Sequence, residues 1–95
     1  EFSTLAVNNR IHAELLRLAM SAGINDNVSE ISPAPTHAEI ASRISTHREA
    51  VTRELNELAQ AGVLEKRNRA LVVRDIAWLQ DVVALKLGET PAPPG

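Results

Sequence analysis

Four residues in one short stretch carry side chains suited to the edges of nucleic-acid bases: Arg48, Glu49, Thr52 and Arg53. Arginine offers a planar fork that matches the two acceptors of guanine. Glutamate accepts from the cytosine amino group, and threonine either hydrogen-bonds or meets a thymine methyl. At about 100° per residue the four fall on one stripe, in the first two turns of a helix. Val51, Leu55 and Leu58 fall on a separate apolar stripe, so burying one set turns the other outward. A helix that reads the major groove places its base-contacting residues in this way. The plain alternative is a solvated face. Glu49 and Arg53 are an i,i+4 pair in the favourable order, worth about 0.2–0.5 kcal/mol, and a bond between them would hold both side chains in a fixed fork.

Such a face needs elements that position it. Residues 36–62 read as two helices joined by a tight turn: the first from Thr36 to about Arg43, the turn over Ile44 to Thr46, the second from His47 to Ala61. Thr36 with Glu39, and Thr46 with Glu49, fit the S/T-x-x-E capping pattern, so two helix starts lie ten residues apart. Gly62 stops the second helix. Ile40, Ala41 and Ile44 supply the apolar face opposite Val51, Leu55 and Leu58. This is a helix-turn-helix pattern. Beyond Gly62, residues 63–67 and 70–74 read as two strands around a turn at Asn68 and Arg69. The hairpin is a basic wing, whose Lys66, Arg67, Asn68 and Arg69 suit backbone phosphates. Thr36, His37, Thr46 and His47, at the two helix starts, are the remaining candidates for phosphate contact.

Upstream, Asn8 to Ala22 reads as an amphipathic helix with Ile11, Leu15 and Leu18 on one stripe, widened by Leu16 and Ala19. Asn8 or Asn9 is placed to cap it, and Gly23 to end it. Ile24 to Pro35 is rich in turn residues and forms either a short two-strand element containing residues 28–31 or a plain loop. A last helix runs from Asp75 or Ile76 to Leu87, with Leu79, Val82 and Val83 at helical spacing and Trp78 expected in the core. Residues 1–7 read as a linker or cloning remnant and the Pro- and Gly-rich residues 88–95 as a disordered tail. The chain does not begin with Met and is expected to be a piece of a longer protein.

The segment HAEIASRISTHREAVTRELNELAQAGVLEKRNRALVVRD resembles the winged helix-turn-helix of the Crp/Fnr transcription regulators, most specifically at Arg48-Glu49-Ala50-Val51-Thr52-Arg53. The run from Arg10 to Ala19 is similar to the helix that precedes the winged domain in that family. Ser45 departs from the glycine usual at that point of the turn. The resemblance implies a mainly helical fold with a small β wing. It implies a bacterial, cytoplasmic, nucleoid-associated regulator that binds double-stranded DNA as a homodimer, with RNA polymerase a further partner. It also implies an upstream sensor domain that binds a cyclic nucleotide or other effector, and a dimerisation helix. Neither belongs to this chain, so the fragment itself is expected to be monomeric and without a cofactor. In the family a half-site of the TGTGA kind faces its guanines to the arginines, and members without the Arg48 arginine prefer a TTGAT kind. In the family a small hairpin occupies the place of residues 24–35, so the resemblance favours the two-strand reading there.

Composition limits the alternatives. Ninety-five residues suffice for one domain with a modest core. With 44% hydrophobic and 23% charged residues the chain has an ordinary globular composition. Without cysteine, thiol catalysis, disulfides and thiolate metal sites are excluded. No apolar run approaches the roughly 18 residues of a membrane span. His12, His37 and His47 lack metal-ligand spacing, and no nucleophile elbow, phosphate loop or dinucleotide fingerprint is present, so an enzyme is not expected. The net charge of −2 weighs against nucleic-acid binding. However, Arg43, Arg48, Arg53, Lys66, Arg67, Arg69 and Arg74 gather around the reading helix and hairpin, away from Asp26, Glu30 and Glu89. The competing reading is a winged-helix module that binds another protein, or a winged domain of an unrelated regulator family.

Overall fold

The computed structural model describes residues 4–86, and side chains within 5–85. Seven elements follow one another: α1 (Thr4–Ala22), β1 (Ser29–Ile31), α2 (His37–Arg43), α3 (Arg48–Gln60), β2 (Leu64–Arg67), β3 (Ala70–Val73) and α4 (Ile76–Lys86). The three strands form one antiparallel sheet in the order β1-β3-β2, with Ser29 opposite Val73, Ile31 opposite Leu71 and Leu64 opposite Val73. The architecture is four helices and a small sheet, as expected of a winged helix-turn-helix. Among the described residues no helix is long and apolar enough to cross a membrane. The expected tail at 88–95 lies outside the described residues.

One core holds the elements together. Ile11, Leu15 and Ala19 on α1 meet Ile40 and Ala41 from α2 and Val51, Leu55 and Leu58 from α3. Ile31, Leu64 and Val73 of the sheet, Val63 just before β2, and Ile76 and Leu79 of α4 complete it. The two apolar stripes read from the sequence of α1 and α3 are therefore the buried ones. Leu16, Leu18, Ile44, Trp78 and Val82 pack on its edge, half-buried.

The end of α3 follows from Gly62. Its positive φ of 84° lets Val63 N–H reach the Leu58 carbonyl at 2.9 Å and Gly62 N–H reach that of Ala59 at 3.1 Å. These two bonds satisfy carbonyls the helix would otherwise orphan. The end of α2 repeats the pattern with a different residue. Ser45 has φ 60°, Thr46 N–H bonds the Ala41 carbonyl at 2.9 Å, and Ser45 N–H that of Ser42 at 3.4 Å. The turn of the helix-turn-helix is thus a glycine-type cap built on serine.

Four local expectations change. First, α1 begins at Thr4, four residues before Asn8, so neither Asn8 nor Asn9 caps it and residues 4–7 are helical. Nothing in Leu5-Ala6-Val7 breaks a helix, and Val7 packs against the core. Second, α2 carries the expected capping box, with Glu39 N–H donating to Thr36 Oγ1 at 3.0 Å and Thr36 N–H to Glu39 Oε1 at 2.8 Å. The second box, Thr46 with Glu49, does not form. With Thr46 N–H taken by Ala41, the helix starts one residue later, His47 is the N-cap without a side-chain bond, and Glu49 falls at the second helical position rather than the third. Third, residues 24–35 do not form a hairpin of their own. Asn25 and Val28 make only a single bridge around a turn with Asp26 and Asn27 at positive φ, and β1 pairs with β3 far along the chain. Fourth, no bond joins Glu49 to Arg53 among the described residues.

Candidate nucleic-acid interface

Burial of Val51, Leu55 and Leu58 leaves Arg48, Glu49 and Arg53 exposed and Thr52 half-buried. These four line an open groove of about 750 Å³ together with Thr36, His37 and Ala38 from the start of α2. Across the mouth of α2 a second open groove of about 510 Å³ is shared by Thr36 and His37 with Lys66, Asn68 and Arg69 of the wing. Thr36 and His37 therefore join the two surfaces. The bond from Ala34 N–H to the Arg69 carbonyl, 2.7 Å, fixes the wing turn to the segment entering α2.

The expected phosphate set is not uniform. Lys66, Asn68 and Arg69 are exposed at the wing, and Asn68 takes φ 56° to make the turn that lacks glycine. Arg67 is exposed but bonded to Glu65, at 3.1 and 3.4 Å, and Arg74 reaches the same carboxylate at 3.5 Å. Two wing arginines thus share one acid. Thr46 and His47 sit at the start of α3 and line neither groove. His37 is engaged within the protein, its Nδ1 lying 2.7 Å from Thr52 Oγ1.

Sequence reading missed two features. Asn56 and Glu57 extend the groove one turn beyond Thr52 and Arg53; the i,i+4 spacing was the available signal. The other is the mounting of the helix pair. On α1, His12 Nε2 lies 2.6 Å from Glu54 Oε2 of α3, with side chains only 10% and 12% exposed. Two residues on, buried Glu14 forms an ion pair with Arg43 of α2 at 3.2 Å and accepts hydrogen bonds from Arg17 at 2.6 and 3.0 Å. The Glu14 hydrogen bond raises the Arg17 guanidinium above its ordinary value. Trp78 stands edge-on to His12, ring centroids 5.7 Å apart. Trp78 is half-buried, packing on the edge of the core beside the hydrogen-bonded pair of His12 and Glu54.

Residues 9–82 match the model of the Crp-like helix-turn-helix domain. This chain belongs to the Crp-like helix-turn-helix family. It is a DNA-binding, transcription-regulation type of domain, and the match takes in most of α1 and of α4. Similar solved structures include the CO-dependent transcription factor CooA from Carboxydothermus hydrogenoformans in its imidazole-bound form, 25% identical over 81% of this chain with a TM-score of 0.70. Reduced CprK without ligand is 21% identical over 78% of the chain, TM-score 0.68. Oxidised CprK with o-chlorophenolacetic acid is 22% identical over 79%, TM-score 0.70. The chain spans 36%, 36% and 32% of those three structures, respectively. No curated protein matches it.

Proposed function

We propose that this domain binds double-stranded DNA with sequence specificity, placing α3 in the major groove and the wing on phosphates, as part of a homodimeric bacterial transcription regulator. The observation that carries the reading is the division of α3: one face is buried to the last residue, while the opposite face presents Arg48, Glu49, Thr52 and Arg53 along an open groove. Arg48 and Arg53 are assigned to guanines, Glu49 to a cytosine amino group and Thr52 to the base between. Thr36, His37, Thr46, His47, Lys66, Arg67, Asn68 and Arg69 are assigned to phosphates. The regulator acts in the cytoplasm by occupying DNA and not by catalysis. An effector acts through a separate sensor domain.

A selection from random duplexes tests this, run with the unmodified protein and with Arg48→Ala. Arg48→Ala is expected to relax preference at one guanine, a loss of about 1–3 kcal/mol of discrimination. An identical selected motif in the variant would show that Arg48 reads no base. Binding that does not weaken with salt would favour a protein-interaction module instead.

A further inference from the structure

The hydroxyl of Thr52 is already engaged before any ligand arrives. Its Oγ1 lies 2.7 Å from Nδ1 of His37, the first residue of α2. Both side chains are half-buried and both line the groove with Arg48, Glu49 and Arg53. In threonine the hydroxyl and the methyl branch from the same carbon, and a helix allows that carbon few rotamers. Holding the oxygen toward α2 therefore also fixes where the methyl stands.

We propose that Thr52 reads the 5-methyl group of a thymine, and that His37 is the positioning residue that fixes this methyl toward the base by holding the hydroxyl. The inference rests on the DNA-binding reading above and names what one position of α3 recognises. In the assignment that uses both side chains fully, the Thr52 hydroxyl donates to Nδ1. His37 then carries its ring proton on Nε2, free to donate to a phosphate at the start of α2. A hydroxyl whose proton is committed in this way no longer donates to a base acceptor such as the thymine O4 and keeps only its accepting role. The methyl offers an apolar contact, which only thymine can return in the major groove.

Deoxyuridine differs from thymidine by this methyl alone, so replacing the thymines of a bound duplex one at a time isolates the contact. The unmodified protein is expected to lose about fourfold in affinity at one position, the effect of exposing one methyl-sized group. Thr52→Val keeps a methyl and should retain that loss; Thr52→Ser should bind the thymine and uracil duplexes alike. His37→Asn, whose side-chain amide falls near the position of Nδ1, should retain the methyl preference while binding all duplexes more weakly. His37→Ala should diminish the preference. If no thymine is sensitive, or if Thr52→Ser remains as sensitive as the unmodified protein, the proposal is overturned while DNA binding stands. If the unmodified protein shows no salt-dependent duplex binding, both readings fall together.

Discussion

His12 and Glu54 form a nearly buried hydrogen-bonded pair, 2.6 Å between Nε2 and Oε2, that joins α1 to α3 one residue after Arg53. The pair sits at the margin of the core, which holds Ile11 and Leu55, and lines an open pocket with Asn8, Glu57 and Trp78. Among the described residues His12 Nδ1 is buried without a hydrogen-bond partner, so the imidazole depends on Glu54 for its polar contact. Removing one member of such a pair strands the other in a medium that solvates it poorly. His12→Ala is expected to cost about 1–3 kcal/mol of stability, and the double variant with Glu54→Ala to cost less than the sum of the single changes. Urea unfolding of the four proteins gives the cycle directly. Additive losses would mean that the two side chains do not interact.

Ser45 holds a left-handed backbone in the turn between the helices. That conformation costs an L residue about 1–2 kcal/mol, against about 0.5–1 kcal/mol of extra chain entropy lost by glycine on folding. Ser45→Gly should therefore stabilise the domain by about 0.5–1 kcal/mol. Ser45→Val should destabilise it by more, since a β-branched side chain tolerates this region poorly. Thermal melts of both variants check the ordering.

Glu65 partners both Arg67 and Arg74 on the wing. On an exposed surface these pairs contribute little to stability. Their effect on DNA should be larger, because the acid occupies cations otherwise free for phosphate. Glu65→Gln is expected to raise affinity for every duplex and to steepen the salt dependence by up to about one unit of slope. Lys66→Ala and Arg69→Ala should each lower the slope by about one, and Arg67→Ala by less. Titrations at several salt concentrations measure these slopes. Equal effects at Arg67 and Arg69 would contradict the role given to Glu65.

Thr36 and Glu39 close a complete capping box on a helix of only seven residues. Thr36→Ala should cost about 1 kcal/mol and loosen the start of α2, where His37 stands. Chemical denaturation reads the loss, and amide exchange at residues 38–40 locates it.

What the sequence made legible was whatever is local. The stripes of α1 and α3, the Thr36 box and the stop at Gly62 depend on residues three or four apart. The Thr46 box has the same local signal, yet it loses to the backbone bond between Thr46 and Ala41, which the positive φ of Ser45 makes available. Serine's own preferences give no hint that it will act as glycine does; only the family resemblance, which places Ser45 where glycine is usual, points to it. The polar pairs were illegible for a different reason. His12 and Glu14 stand on or beside the buried stripe of α1, which was a usable sign, but Glu54 lies 42 positions from His12. Pairing of β1 with β3 is equally distant, and a three-residue strand carries too little pattern to announce its partner. The exposed polar stripe of α3 was legible because burial of Val51, Leu55 and Leu58 leaves it only one direction to face.

The strand order β1-β3-β2 also sets a sequence of events in time. β2 and β3 are neighbours along the chain, and α2 and α3 are joined by a tight turn, so both units can assemble early. β1 must wait: its partners at Leu71 to Val73 lie beyond both helices and the wing tip, so its pairing closes a loop around α2, α3 and the β2–β3 hairpin. The last strand to join is short and at an edge, and is the natural first to leave. Amide protons of Ser29–Ile31 should then exchange faster than those of β3, through an opening that unclasps the sheet while α3 keeps its seat on the core.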